Sequence, residues 1–220
     1  MTDDAHFRSL LISGSAAYGL TLEPASLLLF SSYADLVRVW NTRMNLVSSL
    51  DLARFAEYHL LDSLKIACCF DLSACGRLMD FGSGAGLPGI PLAIAFPGID
   101  VCLVESIGKK CAFLCEVVSS LNLPNVTVLR SRIEEIPSSL DYSFGCVVTR
   151  ATVSLERFYR NAARFVRRSG SLVSIKGDPI DTELRRLEKR VDARVFHILT
   201  AHPVPVSGVR TGTVVIITRK

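Results

Sequence analysis

Several features that would assign this chain to a common class of protein are missing. No apolar run approaches the roughly 18 residues of a membrane-spanning helix, and the first residues are acidic where a secretory signal is basic. The seven cysteines are an odd number and contain no Cys-x-x-Cys pair, which argues against a disulfide framework or a metal site. We therefore expect a cytoplasmic protein with reduced cysteines, no metal and no membrane partner.

Basic residues are scarce in the first two thirds of the chain and abundant in the last third. Residues 1–141 hold 10 Lys and Arg against 15 Asp and Glu, whereas residues 142–220 hold 15 against 6. This basic lobe suits a polyanion such as nucleic acid, because fixed cations displace condensed counterions from phosphates. The arginines of residues 157–168 are equally consistent with one solvated helix face, so charge alone leaves both interpretations open.

Two helical patterns come before the first strand. Residues 23–46 repeat apolar side chains at spacings of three and four, and residues 52–70 do the same. The length of 220 residues suits one domain. We expect residues 1–72 to form a helical cap on a catalytic core of residues 73–220.

From residue 77 onward, short β-type runs alternate with amphipathic helical stretches. This alternation predicts βαβ crossovers and a mostly parallel sheet. The last two β-type runs, 194–199 and 213–218, have no helix between them and should pair antiparallel. The fold class is therefore α/β, with a Rossmann-like sheet similar to the seven-stranded sheet of class I methyltransferases. The earlier expected strands are 78–81, 101–104, 126–129, 146–149 and 172–175, and the expected helices begin at 88 or span 109–121, 155–166 and 181–190.

A glycine-rich turn follows the first of these strands. Its glycines, Gly82, Gly84 and Gly86, allow positive φ and a close approach of a ligand to the backbone. A turn of this kind also serves dinucleotides or purely structural roles. However, Gly-x-Gly-x-Gly preceded by Asp80 is typical of S-adenosylmethionine enzymes, whereas the dinucleotide fingerprint is Gly-x-Gly-x-x-Gly.

Two further residues support a nucleoside ligand at this turn. Pro88 suits the first position of the helix that follows, and the free amides at such a helix start point toward a bound ligand. Glu105 ends the second strand, 23 residues beyond Gly82, where its carboxylate can accept hydrogen bonds from both ribose hydroxyls. The sequence thus predicts S-adenosylmethionine as the cofactor, with Asp80 and Glu105 among its contacts.

At this level of detail the chain resembles the RsmG (GidB) family, the guanine-N7 methyltransferases of 16S ribosomal RNA. The resemblance runs from about residue 33 to residue 176. The specific part is the string Gly-Leu-Pro-Gly-Ile-Pro-Leu-Ala that starts at Gly86. Further matches are Trp40-Asn41, Asn45-Leu46, His59-Leu60-Leu61-Asp62-Ser63-Leu64, Glu105-Ser106, Lys109-Lys110, Arg132-Ile133-Glu134, Arg150-Ala151 and Lys176-Gly177.

The resemblance carries expectations about individual residues and partners. It implies that Gly82 and Leu87 line the cofactor, that Ile133 and Glu134 flank the adenine, and that Arg150 contacts the cofactor or the adjacent substrate pocket. It also implies 16S ribosomal RNA or the small subunit as partner, and we expect a monomer. The candidates for the substrate side are Trp40, Asn41, Asn45, His59, Lys109, Lys110 and Lys176.

Guanine N7 carries an in-plane lone pair, so no general base is expected. For His59 a structural role, tying the cap to the sheet, is favoured over contact with the base. Three alternatives remain open: a methyltransferase for a small molecule or protein, a nicotinamide-dependent oxidoreductase, and a non-catalytic RNA-binding assembly factor. Only the resemblance selects RNA guanine over these.

Overall fold

A seven-stranded sheet forms the centre of the computed structural model, which describes residues 4–150 and 153–220. The strand order is β3-β2-β1-β4-β5-β7-β6. The first five strands are parallel, and β7 runs antiparallel between β5 and β6. The expected α/β fold with its terminal hairpin is thereby confirmed. The strands are β1 Arg77–Phe81, β2 Asp100–Glu105, β3 Val126–Arg130, β4 Phe144–Arg150, β5 Val166–Lys176, β6 Phe196–Ala201 and β7 Thr213–Arg219.

Helices cover both faces of the sheet, as parallel sheets require. Leu78 of β1 packs into the layer beneath α1, α2, α5 and α6, whereas its neighbour Met79 packs into the layer beneath α7 and α8. Successive side chains of β1 therefore pack into two separate hydrophobic cores, one on each face of the sheet. The helices are α1 Asp4–Ala17, α2 Pro24–Asn41, α3 Ser49–Ala53, α4 Asp62–Leu64, α5 Gly89–Ala95, α6 Gly108–Ser120, α7 Leu155–Ala162 and α8 Asp181–Glu188.

The N-terminal helices differ from the sequence expectation. Helix α1 was not expected, and α2 ends at Asn41 rather than at residue 46. Asn41 explains the early end, because its Oδ1 accepts hydrogen bonds from the N–H groups of Leu46 and Val47 at 2.8 and 3.0 Å. A side chain that captures the following backbone in this way competes with continuation of the helix.

The expected single helix over residues 52–70 is wrong. The segment contains α3, a π-helical turn at Ala56–Leu61, α4 and a 3₁₀ turn at Lys65–Cys68. Turns of the π type are frequent at functional sites because they re-aim side chains. Here the turn carries His59 toward the end of β4, a tertiary contact that helical periodicity does not report.

Helix α7 is shorter, and strand β5 longer, than expected. The helix ends at Ala162, a 3₁₀ turn follows, and Val166 already pairs with Phe144 of β4. The next paired residue of β5 is Ser171, opposite Cys146. Residues 167–170 therefore leave the ladder as a bulge, which is why the sequence pattern of β5 becomes regular only after it. The other expected strands and helices differ only by a few residues at their ends.

The described ranges hold no helix that is both long and apolar enough to cross a bilayer.

Candidate cofactor and substrate site

The strand order reverses direction between β1 and β4. From β1 the sheet continues through β2 to β3, and from β4 it continues through β5. In doubly wound folds, ligands bind in the crevice that this reversal opens beyond the carboxyl ends of the strands. The glycine turn leaves β1 at this edge, Glu105 ends β2 and Arg150 ends β4, so the sheet brings together the residues on which the cofactor prediction depends.

The glycine turn adopts the backbone conformation that the sequence predicted. Gly82, Gly84 and Gly86 have φ values of +72°, +59° and +87°, a region that costs side-chain-bearing residues about 1–2 kcal/mol. The N–H groups of Gly82 and Ser83 both donate to the carbonyl of Val104 on β2, at 3.0 Å each. The turn is therefore anchored to the neighbouring strand.

Two of the glycines are required for different reasons. A Cβ atom at Gly84 would meet only the carbonyl oxygen of Gly82, at 3.9 Å, so this position faces open space. A Cβ atom at Gly86 would lie 2.6 Å from Ile90 and 3.1 Å from Leu114. Gly86 is thus set by internal packing, whereas Gly84 leaves room for a ligand above the turn.

Helix α2 is attached directly to the turn. Tyr33, whose side chain is fully buried, donates its hydroxyl to the carbonyl of Ala85. Its ring also packs edge-on against Phe55, at 5.6 Å between centroids. Since a buried tyrosine hydroxyl normally needs a partner, this bond fixes both the ring and the turn that it supports.

Asp80 lies beneath the turn and is fully buried. Its Oδ2 accepts the N–H of Gly89 at 3.0 Å, and among the described residues its Oδ1 has no hydrogen-bond partner. Burial raises the pKa of Asp80 to about 7, while the Gly89 N–H and the charge of Arg150 oppose the increase. Pro88, expected as the first helical residue, instead occupies the N-cap position, because α5 begins at Gly89.

Glu105 is buried, and backbone groups already occupy much of its carboxylate. Oε1 accepts the N–H groups of Ser106 and Ile107 at 2.8 and 2.9 Å, and Oε2 accepts that of Gly84 at 3.0 Å. A carboxylate offers about four lone-pair positions, so this geometry leaves one of them, on Oε2. The carboxylate therefore lies where the sequence predicted, with less free capacity than two ribose hydroxyls would use.

Arg150 is bonded to the N-terminal segment. Its Nη1 donates to the carbonyl of Tyr58 at 3.1 Å and to Oδ2 of Asp62 at 3.0 Å. Its Nη2 lies 2.9 Å from Nδ1 of His59. A guanidinium only donates, so His59 accepts through Nδ1 and carries its proton on Nε2. The 13% exposure of the Arg150 side chain leaves a small part of it open at the strand end.

A second cation completes this cluster. Lys65, 2% exposed, places Nζ 2.6 Å from Oδ1 of Asp62, so Asp62 is shared between two buried cations. Burial lowers the pKa of His59 to about 4, and the charge of Arg150 adds to the effect. His59 is therefore neutral near pH 7 and joins the cap to the sheet.

The two residues expected to flank the adenine lie beside β3, and Leu87, expected to line the cofactor, lies in the turn. Ile133 is buried in the layer beneath α7, and Glu134 is exposed, with its Oε1 accepting from Asn161 at 3.2 Å. Leu87 is buried within the turn. Their roles toward a cofactor stay predictions.

The substrate candidates on α2 and in the loop after it have structural contacts of their own. Trp40 follows Tyr33 by two helical turns, about 10 Å along α2, and packs edge-on against Phe113 of α6 at 5.7 Å. Asn41 closes the loop after α2, and Asn45 is exposed within that loop. Trp40 therefore packs between helices, and Asn41 holds the loop, which are structural roles.

The lysine candidates occupy two different places. Lys109 is exposed and Lys110 half-buried in the first turn of α6, just beyond Glu105. Lys176 ends β5 next to Arg150 and is largely buried. Its Nζ donates to the carbonyl of Val153 and pairs with Glu183 at 3.0 Å, so Lys176 links the loop after β4 to α8.

Sequence reasoning missed two members of the site. Tyr33 was counted as one apolar residue of a helix face, and Lys65 was not singled out. Their signals are a hydroxyl and an ammonium at positions that the helical pattern makes buried, since such groups need partners. No group of three His, Cys, Asp or Glu side chains within the described ranges is placed to hold a metal ion.

Comparison with known proteins identifies relatives over most of the chain. The family model described as rRNA small subunit methyltransferase G (GidB) matches residues 27–204. A ribosomal RNA small subunit methyltransferase G from Roseiflexus sp. (strain RS-1) is 34% identical over 212 residues, which is 96% of this chain and 90% of the relative. One from Chloroflexus aggregans (strain MD-66 / DSM 9485) is 36% identical over 213 residues, or 96% and 89% of the two chains.

Solved structures share the fold at low sequence identity. The tRNA (m1A58) methyltransferase TrmI from Aquifex aeolicus superimposes with a TM-score of 0.56 at 14% identity, covering 72% of this chain and 68% of that one. A SAM-dependent methyltransferase from Aquifex aeolicus gives 0.54 at 18% identity, covering 72% and 89%. These likenesses support the methyltransferase-type sheet.

Proposed function

The chain belongs to the GidB family, rRNA small subunit methyltransferase G, and on that premise we propose that it transfers the methyl group of S-adenosylmethionine to N7 of a guanine in 16S ribosomal RNA. The observation that carries the proposal is the glycine turn at the reversal point of the sheet, with Glu105 on one side and Arg150 on the other.

The residues at the turn fit S-adenosylmethionine. Gly84 leaves the space above the turn open, Asp80 has a buried oxygen without a partner in the described part of the chain, and Glu105 retains a free lone-pair position for a ribose hydroxyl. An anionic oxygen at Asp80 suits a cationic ligand. Bound there, the cofactor would supply an electrophilic methyl group on a sulfonium. We propose further that Leu87, Ile133 and Glu134 border its nucleoside.

The titratable side chains at the site suit a reaction without a general base. The Nδ1 lone pair of His59 is occupied by Arg150, and the carboxylate of Asp62 is shared by Arg150 and Lys65. Guanine N7 needs no deprotonation, so the main task of the site is to align the reacting atoms, which can lower a barrier by about 7–11 kcal/mol. Arg150, with a small exposed part beside Lys176, is the cation that we place nearest the base.

The partner and setting follow from the same proposal. The named relatives act on small-subunit ribosomal RNA, so we propose that this chain works on 16S RNA or the small subunit, as a monomer in the cytoplasm. The basic lobe of residues 142–220 supplies the charge that such a partner requires.

The test is transfer of labelled methyl groups from S-adenosylmethionine. The acceptors are undermethylated small-subunit particles, their naked 16S RNA, a mixture of cellular proteins and small metabolites, and a sample without acceptor. Label recovered as 7-methylguanosine from RNA would support the proposal. Label on another nucleoside would correct the target atom, label on protein or metabolite would replace the substrate class, and no transfer despite cofactor binding would support a non-catalytic role.

A further inference from the structure

An open groove of about 430 Å³ lies at the end of the sheet opposite the glycine turn. Strands β5 and β7 run antiparallel, with Ser171 opposite Thr218, so the end of β7 lies beside the beginning of β5. The site described above lies beyond the other end of β5. We call this feature the amino-edge groove, and its lining residues are Tyr142, Arg168, Arg194, Val195, Arg219 and Lys220.

Three arginines reach this groove, each from a different part of the sheet. Arg168 is exposed on the bulge of β5, where residues 167–170 leave the ladder. Arg219 stands at the end of β7, with Nη1 bonded to the carbonyl of Val166 at 3.2 Å. Arg194 precedes β6, and 90% of its side chain is exposed.

An aromatic side chain lies among these cations. Tyr142 is 56% exposed, and the guanidinium of Arg219 lies 4.4 Å from its ring centroid. A second groove of about 420 Å³ contains Tyr159, Arg160 and Arg190, but there Arg190 pairs with Glu156 at 2.9 Å. Arginines beside accessible aromatic rings are the chemistry that binds phosphates and stacks on bases in RNA.

The charge of the amino-edge groove is positive after its acids are counted. Asp192 pairs with Arg194 at 3.2 Å, and Nζ of Lys220 donates to the carbonyl of Ala193. Among the described residues, neither Arg168 nor Arg219 pairs with a carboxylate, so both add positive charge to the groove. Like charges on one surface repel one another, so an anion that binds between these side chains would be favoured.

We propose that the amino-edge groove docks the phosphate backbone of a part of the RNA substrate distant from the methylated nucleotide. This inference rests on the proposed function. Along β5, the distance from Ser171 at the groove to Lys176 at the site is about 16 Å, at about 3.3 Å per residue. A contact that adds affinity equally before and during the reaction affects KM and leaves kcat unchanged, and we assign the docking contact to this kind.

The test compares three double variants of the full chain. Arg168→Gln with Arg194→Gln removes two charges from the groove, and Arg168→Lys with Arg194→Lys retains them. Arg8→Gln with Arg38→Gln removes the same net charge from α1 and α2, on the opposite face of the sheet. Thermal unfolding and S-adenosylmethionine affinity, both measured without RNA, show whether each variant is folded and keeps its cofactor site.

RNA affinity is then measured at 50 and 200 mM salt with naked 16S RNA, and KM and kcat with the acceptor that the wild type methylates. Each phosphate contact contributes about 0.7–0.9 to the slope of log affinity against log salt. Arg194 shares its charge with Asp192, so the groove variant loses between one and two full contacts. Between these two salt concentrations, it should therefore lose about three- to tenfold less affinity than the wild type. Its KM should rise with kcat unchanged, and the lysine variant and the α1–α2 variant should behave as the wild type.

Three results would overturn the docking site. The first is an unchanged salt slope in the groove variant, and the second is a change of the same size in the salt slope of the α1–α2 variant. The third is a groove variant that loses binding to phosphatidylglycerol vesicles but keeps its RNA affinity, which would assign the groove to a lipid surface. Failure of the proposed function is separate from these, because it appears as absence of RNA methylation by the wild type.

Discussion

Gly84 and Gly86 provide a direct test of which part of the turn serves the ligand. Both have positive φ, so alanine at either position costs about 1–2 kcal/mol of backbone strain. In a domain of this size, 1 kcal/mol corresponds to about 2–4 °C in melting temperature. At Gly86 the new methyl group also meets Ile90 at 2.6 Å, and such overpacking adds about 1–3 kcal/mol. Gly86→Ala should therefore lower the melting temperature about twice as much as Gly84→Ala.

Cofactor affinity should instead be affected mainly at Gly84, the position where alanine lowers the melting temperature less. The methyl group of Gly84→Ala enters the open space above the turn, so this variant should remain folded and bind S-adenosylmethionine at least about tenfold more weakly, or about 1.4 kcal/mol. Gly84→Val, with a larger side chain, should abolish binding. The assays are thermal unfolding without ligand and titration calorimetry. Wild-type cofactor affinity in Gly84→Ala would refute the placement of the ligand over this turn.

Three further predictions concern the buried ionisable groups. S-Adenosylmethionine affinity should rise from pH 6 to pH 8, because Asp80 must lose its proton through a pKa of about 7 to attract a cation. Calorimetry on Asp80→Asn should show an affinity that does not change with pH, and the same rise in that variant would exclude Asp80 as its cause. His59 has a folded pKa of about 4 against 6.5 unfolded, so the unfolded chain gains the proton first and the free energy of unfolding should fall by up to about 3 kcal/mol as pH drops from 6.5 to 4. Urea unfolding of His59→Gln should lack this part, and the same pH slope in the variant would contradict it. Arg150→Met should cost about 1–3 kcal/mol because it leaves Nδ1 of His59 without its donor, while Asp62 keeps Lys65. Arg150→Lys should be intermediate by thermal unfolding, and wild-type stability in the lysine variant would show that the planar fork is unimportant.

The sheet and the glycine turn were predictable because their signals are local. Alternating strand and helix periods define βαβ units, and the spacing of Gly82, Gly84 and Gly86 defines a turn with positive φ. The antiparallel pairing of the last two strands follows from the absence of a helix between them, whereas no local signal in the sequence places β7 between β5 and β6.

The side-chain network of the site was not predictable in the same way. His59 and Arg150 lie 91 positions apart, and Tyr33 and Ala85 lie 52 apart. Such contacts depend on how the N-terminal segment crosses the sheet, which periodicity does not encode. Periodicity alone predicted a regular α-helix at Ala56–Leu61, where the structure has a π-helical turn that carries a buried polar contact. The family resemblance marked His59 and Asp62 as notable without showing what they bind.

The bond from Tyr33 to Ala85 links the motion of α2 to that of the turn. Opening of the turn must break this bond or move the middle of α2 with it, so the two segments should exchange amide hydrogens as one unit. A ligand that stabilises the turn would then slow exchange along α2, many residues away in sequence. The N-terminal helices would in this way report cofactor binding, and the chain should melt in a single calorimetric transition.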